Sequence, residues 1–334
     1  MSVGDTVAAA PPPTLPTSVG GRGGLRRGGL AVGRRIAMGI VTLWGALTIV
    51  FILEHLSGDP AELLTPPTAP VSERAAIARQ LGLDQPFFVQ YWHYLVQAAQ
   101  GNFGNSFSFH QSATSLVLGR APATLELAGS AMLIALVVGV PLGMLAAFRN
   151  GRPGTQALGS AMVLGQAVPP FLIAPLLIAF VGVRWHLTPV SGEDGFSSLI
   201  LPAISLALFQ VSVLFRITRG AALKALNDNY VEFARAKGAR KLRLAWQHVL
   251  PNSLPPLMTV AALALATLIG GSVIVETIFN WPGIGYLLIQ AVQDRDFPVV
   301  SAVTVIFALA YIVLNTIVDI LYAVVDPRSA GAPQ

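Results

Sequence analysis

The chain has 334 residues, 54% hydrophobic and 11% charged, with a mean hydropathy of +0.65 and a formal net charge of +5. An average soluble domain is about 25% charged, so the composition excludes a soluble enzyme and points to a membrane protein. With no cysteine, disulfides, thiolate catalysis and Cys-based metal sites are excluded too.

The first 35 residues are rich in Pro and Ala between Ala8 and Pro16 and alternate Gly with Arg between Gly20 and Gly33. They bury too little apolar surface to offset ordering entropy and read as a disordered basic tail. Gly20 to Gly24 lacks the Lys-Ser/Thr pair and flanking strand of a phosphate loop. A spanning helix needs about 20 apolar residues. Six such runs are predicted at 36–56, 124–148, 158–183, 197–217, 254–277 and 298–323, within a membrane domain over 36–326 that leaves 327–334 as a second tail. No small-x-small cleavage site follows the first run, which reads as a signal anchor.

Between the first two runs, residues 57–122 form an external helical insert. Ser72 to Leu81 is bounded by Pro70 and Gly82, as helix ends prescribe. A second helix opens at Pro86, with Phe88, Tyr91, Trp92, Leu95 and Ala99 on one face. It is either an interfacial helix packed on the bundle or a docking surface for an external partner. Pro122 opens the second span, placing Glu126 in its first turn, where a carboxylate suits the helix dipole. Pro141, Pro169, Pro170 and Pro175 are expected to kink the second and third spans. The outer connections Arg184 to Asp194 and Phe279 to Asp296 read as turns.

Lys and Arg set orientation, because cationic loops resist translocation. With both termini in the cytoplasm, 16 of the 21 basic residues lie inside, eight of them between Arg216 and Arg243. The basic excess is thereby explained without nucleic acid. Within that inner stretch, residues 228–251 read as helix, turn, helix. Tyr230 to Lys237 favours helix up to Gly238, and Ala239 to Val249 resumes it before Leu250-Pro251. On physics alone the segment is either a surface that fits a groove on a soluble partner or an anchor on anionic lipid.

Glu232-Phe233-Ala234, then Gly238, then His248-Val249-Leu250-Pro251 resembles the EAA loop of ABC importer permeases, with Phe233 and His248 departing from its usual residues. Ala234-Arg235-Ala236-Lys237-Gly238 is typical of the dipeptide/oligopeptide/nickel branch. Further pieces resemble that branch's first permease type: Gly58-Asp59-Pro60, Leu81-Gly82-Leu83-Asp84, Pro122 to Leu127, Pro189 to Gly192, Ile278 to Gly285, Arg295 to Pro298 and Asp326-Pro327-Arg328. The resemblance implies an all-α, six-span, type I ABC importer permease fold in the inner membrane. It implies a non-catalytic subunit importing dipeptides or oligopeptides, with nickel, glutathione or a haem-like ligand as alternative cargo. The implied partners are a second homologous permease, two cytoplasmic ATP-binding subunits and an extracytoplasmic peptide-binding protein, besides membrane lipid. Glu232, Phe233, Ala234, Arg235, Ala236, Lys237, Gly238, His248, Leu250 and Pro251 take the role of coupling segment to the ATPases.

Ionisable residues in a bilayer are functional suspects by default. Glu54, Glu126, Glu276 and Asp319 lie at run boundaries, where interfacial water solvates a carboxylate. Inside the runs, Gln166, Gln210 and Asn315 either line a pathway or bond a neighbouring helix. The five histidines show no metal-site spacing, and no cofactor is expected.

Overall fold

The computed structural model describes residues 23–57, 84–193 and 195–325, together with Pro70, Ser72, Arg79 and Gly82. The expected helix from Ser72 to Leu81 lies largely outside the described residues, as do the tail before Gly23 and residues 326–334. All described elements are helical apart from one isolated antiparallel bridge, Asn105 to Ser112. In chain order they are α1 (Gly23–Leu56), α2 (Phe87–Ala99), α3 (Ala113–Phe148), α4 (Pro153–Ala167), α5 (Pro170–Leu177, continued as a π-helix Ile178–Arg184) and α6 (Phe196–Leu226). There follow α7 (Asn229–Ala236), α8 (Lys241–Leu244, leading through a π-helical turn Ala245–Val249 into α9, Leu250–Phe279), α10 (Ile284–Gln293) and α11 (Phe297–Val325).

Among the described residues five helices are long and apolar enough to cross a membrane: Ala37–Leu56, Ala113–Phe148, Phe196–Leu226, Lys241–Phe279 and Phe297–Ile317. The third expected span departs from the others. Pro153–Ala167 and Pro170–Arg184 meet at an angle of 98° and make a sixth crossing only as one broken span. The cause is local. Helical ψ is disfavoured in a residue before proline, and two prolines in succession compound the effect: Val168 and Pro169 take ψ values of 116° and 147° ahead of Pro169 and Pro170.

Other boundaries also move. α1 reaches back to Gly23, into the segment expected to be a disordered tail, because Leu25, Arg26, Arg27, Leu30 and Ala31 are helix formers between the glycines. α3 begins at Ala113, so Pro122 lies inside the helix and Glu126 is exposed beyond its first turn. Leu250-Pro251 does not stop a helix. The π-helical turn before it widens the backbone where the proline ring would strike the carbonyl four residues back, and Asn252 and Ser253 donate to the His248 and Val249 carbonyls at 2.7 and 2.8 Å. The connection from Phe279 to Asp296, expected to be a turn, holds α10.

The core lies between α3, α5, α6 and α9, where Leu127, Leu201, Leu214, Leu268, Val275 and Phe279 are buried. α3 and α6 approach closely at Gly139 and Gly143. A Cβ there would lie 2.8 Å from the Val211 carbonyl and 2.7 Å from that of Phe215, so only this small-xxx-small pair permits the contact. At the opposite end from α7, α2 packs on α1 around Phe51, whose ring centre is 5.2 to 5.3 Å from those of Phe87, Tyr91 and Tyr94. The expected stripe is thereby split. Tyr91 turns inward and shares a 2.7 Å hydrogen bond with Thr48, while Phe88 and Trp92 are exposed.

Candidate functional site

One end of the helix bundle carries the segment singled out by sequence. α7 is two-faced: Val231 and Ala234 are buried, and Glu232, Phe233, Arg235 and Ala236 are exposed. The buried face joins Met144 and Ala147 of α3, Ala222 and Ala225 of α6, Leu244 of α8 and Val249 in one apolar cluster. α7 is therefore seated on the ends of two long apolar helices rather than hanging from a loop. At its C-terminus the Gly238 amide donates to the Arg235 carbonyl at 2.9 Å and the Ala239 amide to that of Ala234 at 3.1 Å. Those two bonds make a Schellman motif, and Gly238 takes the left-handed φ of 82° that the motif requires. A Cβ at Gly238 would meet nothing within 4 Å, so the turn and not internal crowding selects glycine.

What this segment presents outward is more apolar than its charge suggests. Phe233 is 63% exposed, with the Lys237 ammonium 4.4 Å from its ring centre. Leu242 and Trp246, one helical turn apart, are 72% and 63% exposed. Tyr230 adds a half-exposed ring, and burial, then the Asp228 carboxylate, raises its phenol above the ordinary range, which keeps it a neutral donor. Tyr230, Leu242 and Trp246 were not among the expected site residues, although the i, i+4 spacing of Leu242 and Trp246 in a basic stretch was a readable signal. His248 is half-buried in the widened turn, Leu250 packs against the cluster, and Pro251 is exposed.

At the opposite end a carboxylate organises the corner between α3, α9 and α10. Glu276 is fully buried, not interfacial as its position at a run boundary suggested. One of its oxygens accepts from Thr124 at 2.9 Å and Ser272 at 2.7 Å, and the other from the Gly285 and Tyr286 amides at 2.7 and 3.1 Å. The two amides belong to the first turn of α10, so the charge also meets a helix N-terminus. Beside it Trp281, also buried, donates from Nε1 to the Ala123 carbonyl at 2.9 Å. Asp296 is likewise buried and accepts from Ser106 Oγ and the Ser108 amide, joining the start of α11 to the loop before α3. Tyr94 donates to Ser301 at 3.0 Å. Burial pushes its phenol up to about 12 against the opposing effect of that bond. A cavity of about 960 Å³, lined by Glu54, His55, His93, Tyr94 and Gln97 among others, opens beside α2.

The pathway candidates are not brought together by direct bonds. Gln210 is buried and donates to Thr267 of α9 at 3.3 Å, and Asn315 donates to the Tyr311 carbonyl of its own helix at 2.9 Å. Gln166 is half-buried at the end of α4, just before the break.

The family model for the binding-protein-dependent transport system inner membrane component matches residues 139–331, and the model for its N-terminal part matches residues 31–128. The glutathione transport system permease protein GsiC of Escherichia coli is 37% identical over 290 residues, covering 86% of this chain and 94% of the relative. GsiC of Salmonella typhi matches to the same extent. Among solved structures, an inward-facing MetNI methionine ABC transporter aligns over 63% of this chain and 96% of its own, with a TM-score of 0.55 at 20% identity. An amino acid ABC transporter with histidines aligns over 63% and 94%, with a TM-score of 0.50 at 16% identity. At such identities these structures speak for the fold alone.

Proposed function

The chain belongs to the binding-protein-dependent transport inner membrane components, as a permease subunit of an ABC importer, and from that premise we propose that it conducts dipeptides or oligopeptides inward. An importer permease of this family works with ATP-binding subunits and a periplasmic binding protein, and the hydrolysis of ATP belongs to the former. This chain makes half of the pathway, and a second, homologous permease makes the other half. The cargo reading is supported by the GsiC relatives, since glutathione is itself a tripeptide and offers the same amide, carboxylate and ammonium groups as other short peptides.

The observation that carries the coupling is the two-faced α7. Its inner face is fixed to α3 and α6 by Val231 and Ala234, while Phe233, Leu242 and Trp246 stand free. A partner that covers these side chains gains about 1.5–3 kcal/mol for each one fully buried. Movement of the ATPases is then delivered to the inner ends of two spans as a rigid-body displacement. The test of cargo is uptake in cells lacking this chain. Accumulation of labelled di- and tripeptides should be lost and should return with the wild-type chain, unlabelled glutathione competing. Peptide uptake that persists in the deletion while nickel or haem uptake fails would overturn the peptide assignment.

A further inference from the structure

We propose that the corner formed by α6, α4 and the α3–α4 turn binds the phosphate of an anionic phospholipid of the inner leaflet, with Arg219 as its principal contact. Arg219 is half-buried where the four segments α3, the turn, α4 and α6 meet. One terminal nitrogen donates to Asn150 Oδ1 at 3.2 Å, and the other lies 3.5 Å from where a Cβ on Gly159 would stand. Its Nε is buried and has no hydrogen-bond partner. A guanidinium offers five donors, and here one neutral amide oxygen is the whole of its side-chain pairing among the described residues.

Among the described residues no acid forms an ion pair with it. There is no Asp or Glu from Leu127 to Gly192, nor from Gly195 to Asn227, which takes in α4, α5 and α6 entirely. Arg149 and Arg152 flank Asn150 in the turn, and Arg216 lies one helical turn before Arg219. All three are exposed and make no ion pair among the described residues. A cationic corner whose half-buried guanidinium has terminal donors left over is what an external anion completes, and a guanidinium fork matches phosphate oxygens in particular.

Depth decides which anion. Arg219 follows Phe196 by a rise of roughly 35 Å along α6, against a hydrocarbon thickness of about 30 Å, which places it at the headgroup layer. α6 continues about 10 Å further to Leu226 before the coupling segment begins, so the corner lies at headgroup depth and short of the surface offered to the ATPases. Basic pockets between spanning helices on this side of a membrane take phospholipid headgroups. Assignment to the inner leaflet rests on the cytoplasmic placement of the α3–α4 turn. Labelling of the loops tests that placement by itself, so a failure of topology is distinguishable from a failure of the lipid site.

The experiment titrates the purified transporter with phosphatidylglycerol and with phosphatidylcholine, counting bound lipid by native mass spectrometry. The wild type should prefer phosphatidylglycerol by about tenfold, because in phosphatidylcholine the choline cation offsets the phosphate charge that the arginines of this corner meet. Arg219→Gln should lose that preference, and Arg219→Lys should keep part of it. The Arg149→Gln/Arg152→Gln pair, changed only at exposed turn positions, should weaken it. Millimolar inorganic phosphate should leave the lipid bound. An Arg219→Gln transporter with unchanged lipid preference overturns the proposal, as does displacement of the lipid by free phosphate. Loss of the ATPase subunits from Arg219→Gln with lipid retained overturns it in favour of a protein contact.

Discussion

At the scale of single residues, Glu276 is where a local feature decides the most. Four donors from three helices converge on one buried carboxylate, and hydrogen bonds to a charged group are worth about 1.5–3 kcal/mol each where a neutral pair is worth about 1. Gln in its place has one acceptor oxygen and turns an NH2 group toward donors already there. Glu276→Gln should therefore cost about 3 kcal/mol, and Ser272→Ala, which removes a single bond, about half of that. Thermal unfolding of the purified protein in detergent measures both. Equal melting temperatures for wild type and Glu276→Gln would mean that the carboxylate holds no charge there or that the corner has no part in stability.

At the scale of an element, α7 separates two explanations of Gly238 that its sequence context left joined. The glycine serves the Schellman turn, and its missing Cβ makes no room inside this chain. A β-branched residue at φ of 82° costs about 1–2 kcal/mol of strain, whereas Asn adopts the left-handed region at little cost. Gly238→Asn should then keep uptake and ATPase co-purification near normal, Gly238→Val should impair both, and Gly238→Asp should behave like Asn if shape alone matters. Abolition by Asp with Asn tolerated would place the ATPase against this turn, where a charge is rejected. Phe233→Ser leaves the turn and the buried face intact yet removes the largest exposed ring of α7. It should weaken ATPase retention about thirtyfold, corresponding to about 2 kcal/mol of lost burial, while membrane insertion stays unchanged. Replacing Arg235 and Lys237 with Gln should do far less. If the charges mattered and Phe233 did not, the segment would be a lipid anchor.

At the scale of the whole molecule, orientation is the property that every other assignment depends on. The proposal that both termini are cytoplasmic follows from the distribution of Lys and Arg, and the helix order gives it points to test. Asn105 lies in the loop before α3 and Asn227 just past the end of α6, on opposite sides of the bilayer if α3, the broken α4–α5 pair and α6 each cross once. Since the chain has no cysteine, a single Cys at either position reports its side through an impermeant thiol reagent. Labelling should occur from outside at position 105 and be absent at 227. The reverse pattern would invert the protein, and labelling of both would make α4–α5 a re-entrant hairpin.

The class of fold, the rough positions of the apolar helices and the helix, turn, helix over 228–251 were legible in the sequence because each depends on neighbouring residues. A run of apolar side chains must span, a basic loop resists translocation, and Tyr230 to Gly238 writes a helix and its stop within nine residues. The same local logic failed where a partner distant in sequence decides. Pro122 looked like a helix start, yet α3 had already begun at Ala113, and Leu250-Pro251 looked like a stop that the widened turn before it carries through. Glu276 looked like an interfacial carboxylate, because nothing near it in sequence announces Thr124, which lies 152 positions away. Which side of α7 is buried, and hence that Leu242 and Trp246 join Phe233 outside, was likewise settled only when α3 and α6 supplied the surface for Val231 and Ala234 to pack against. Sequence determined what each segment must do with its own backbone and with lipid; the tertiary structure alone decided which polar groups left over found one another.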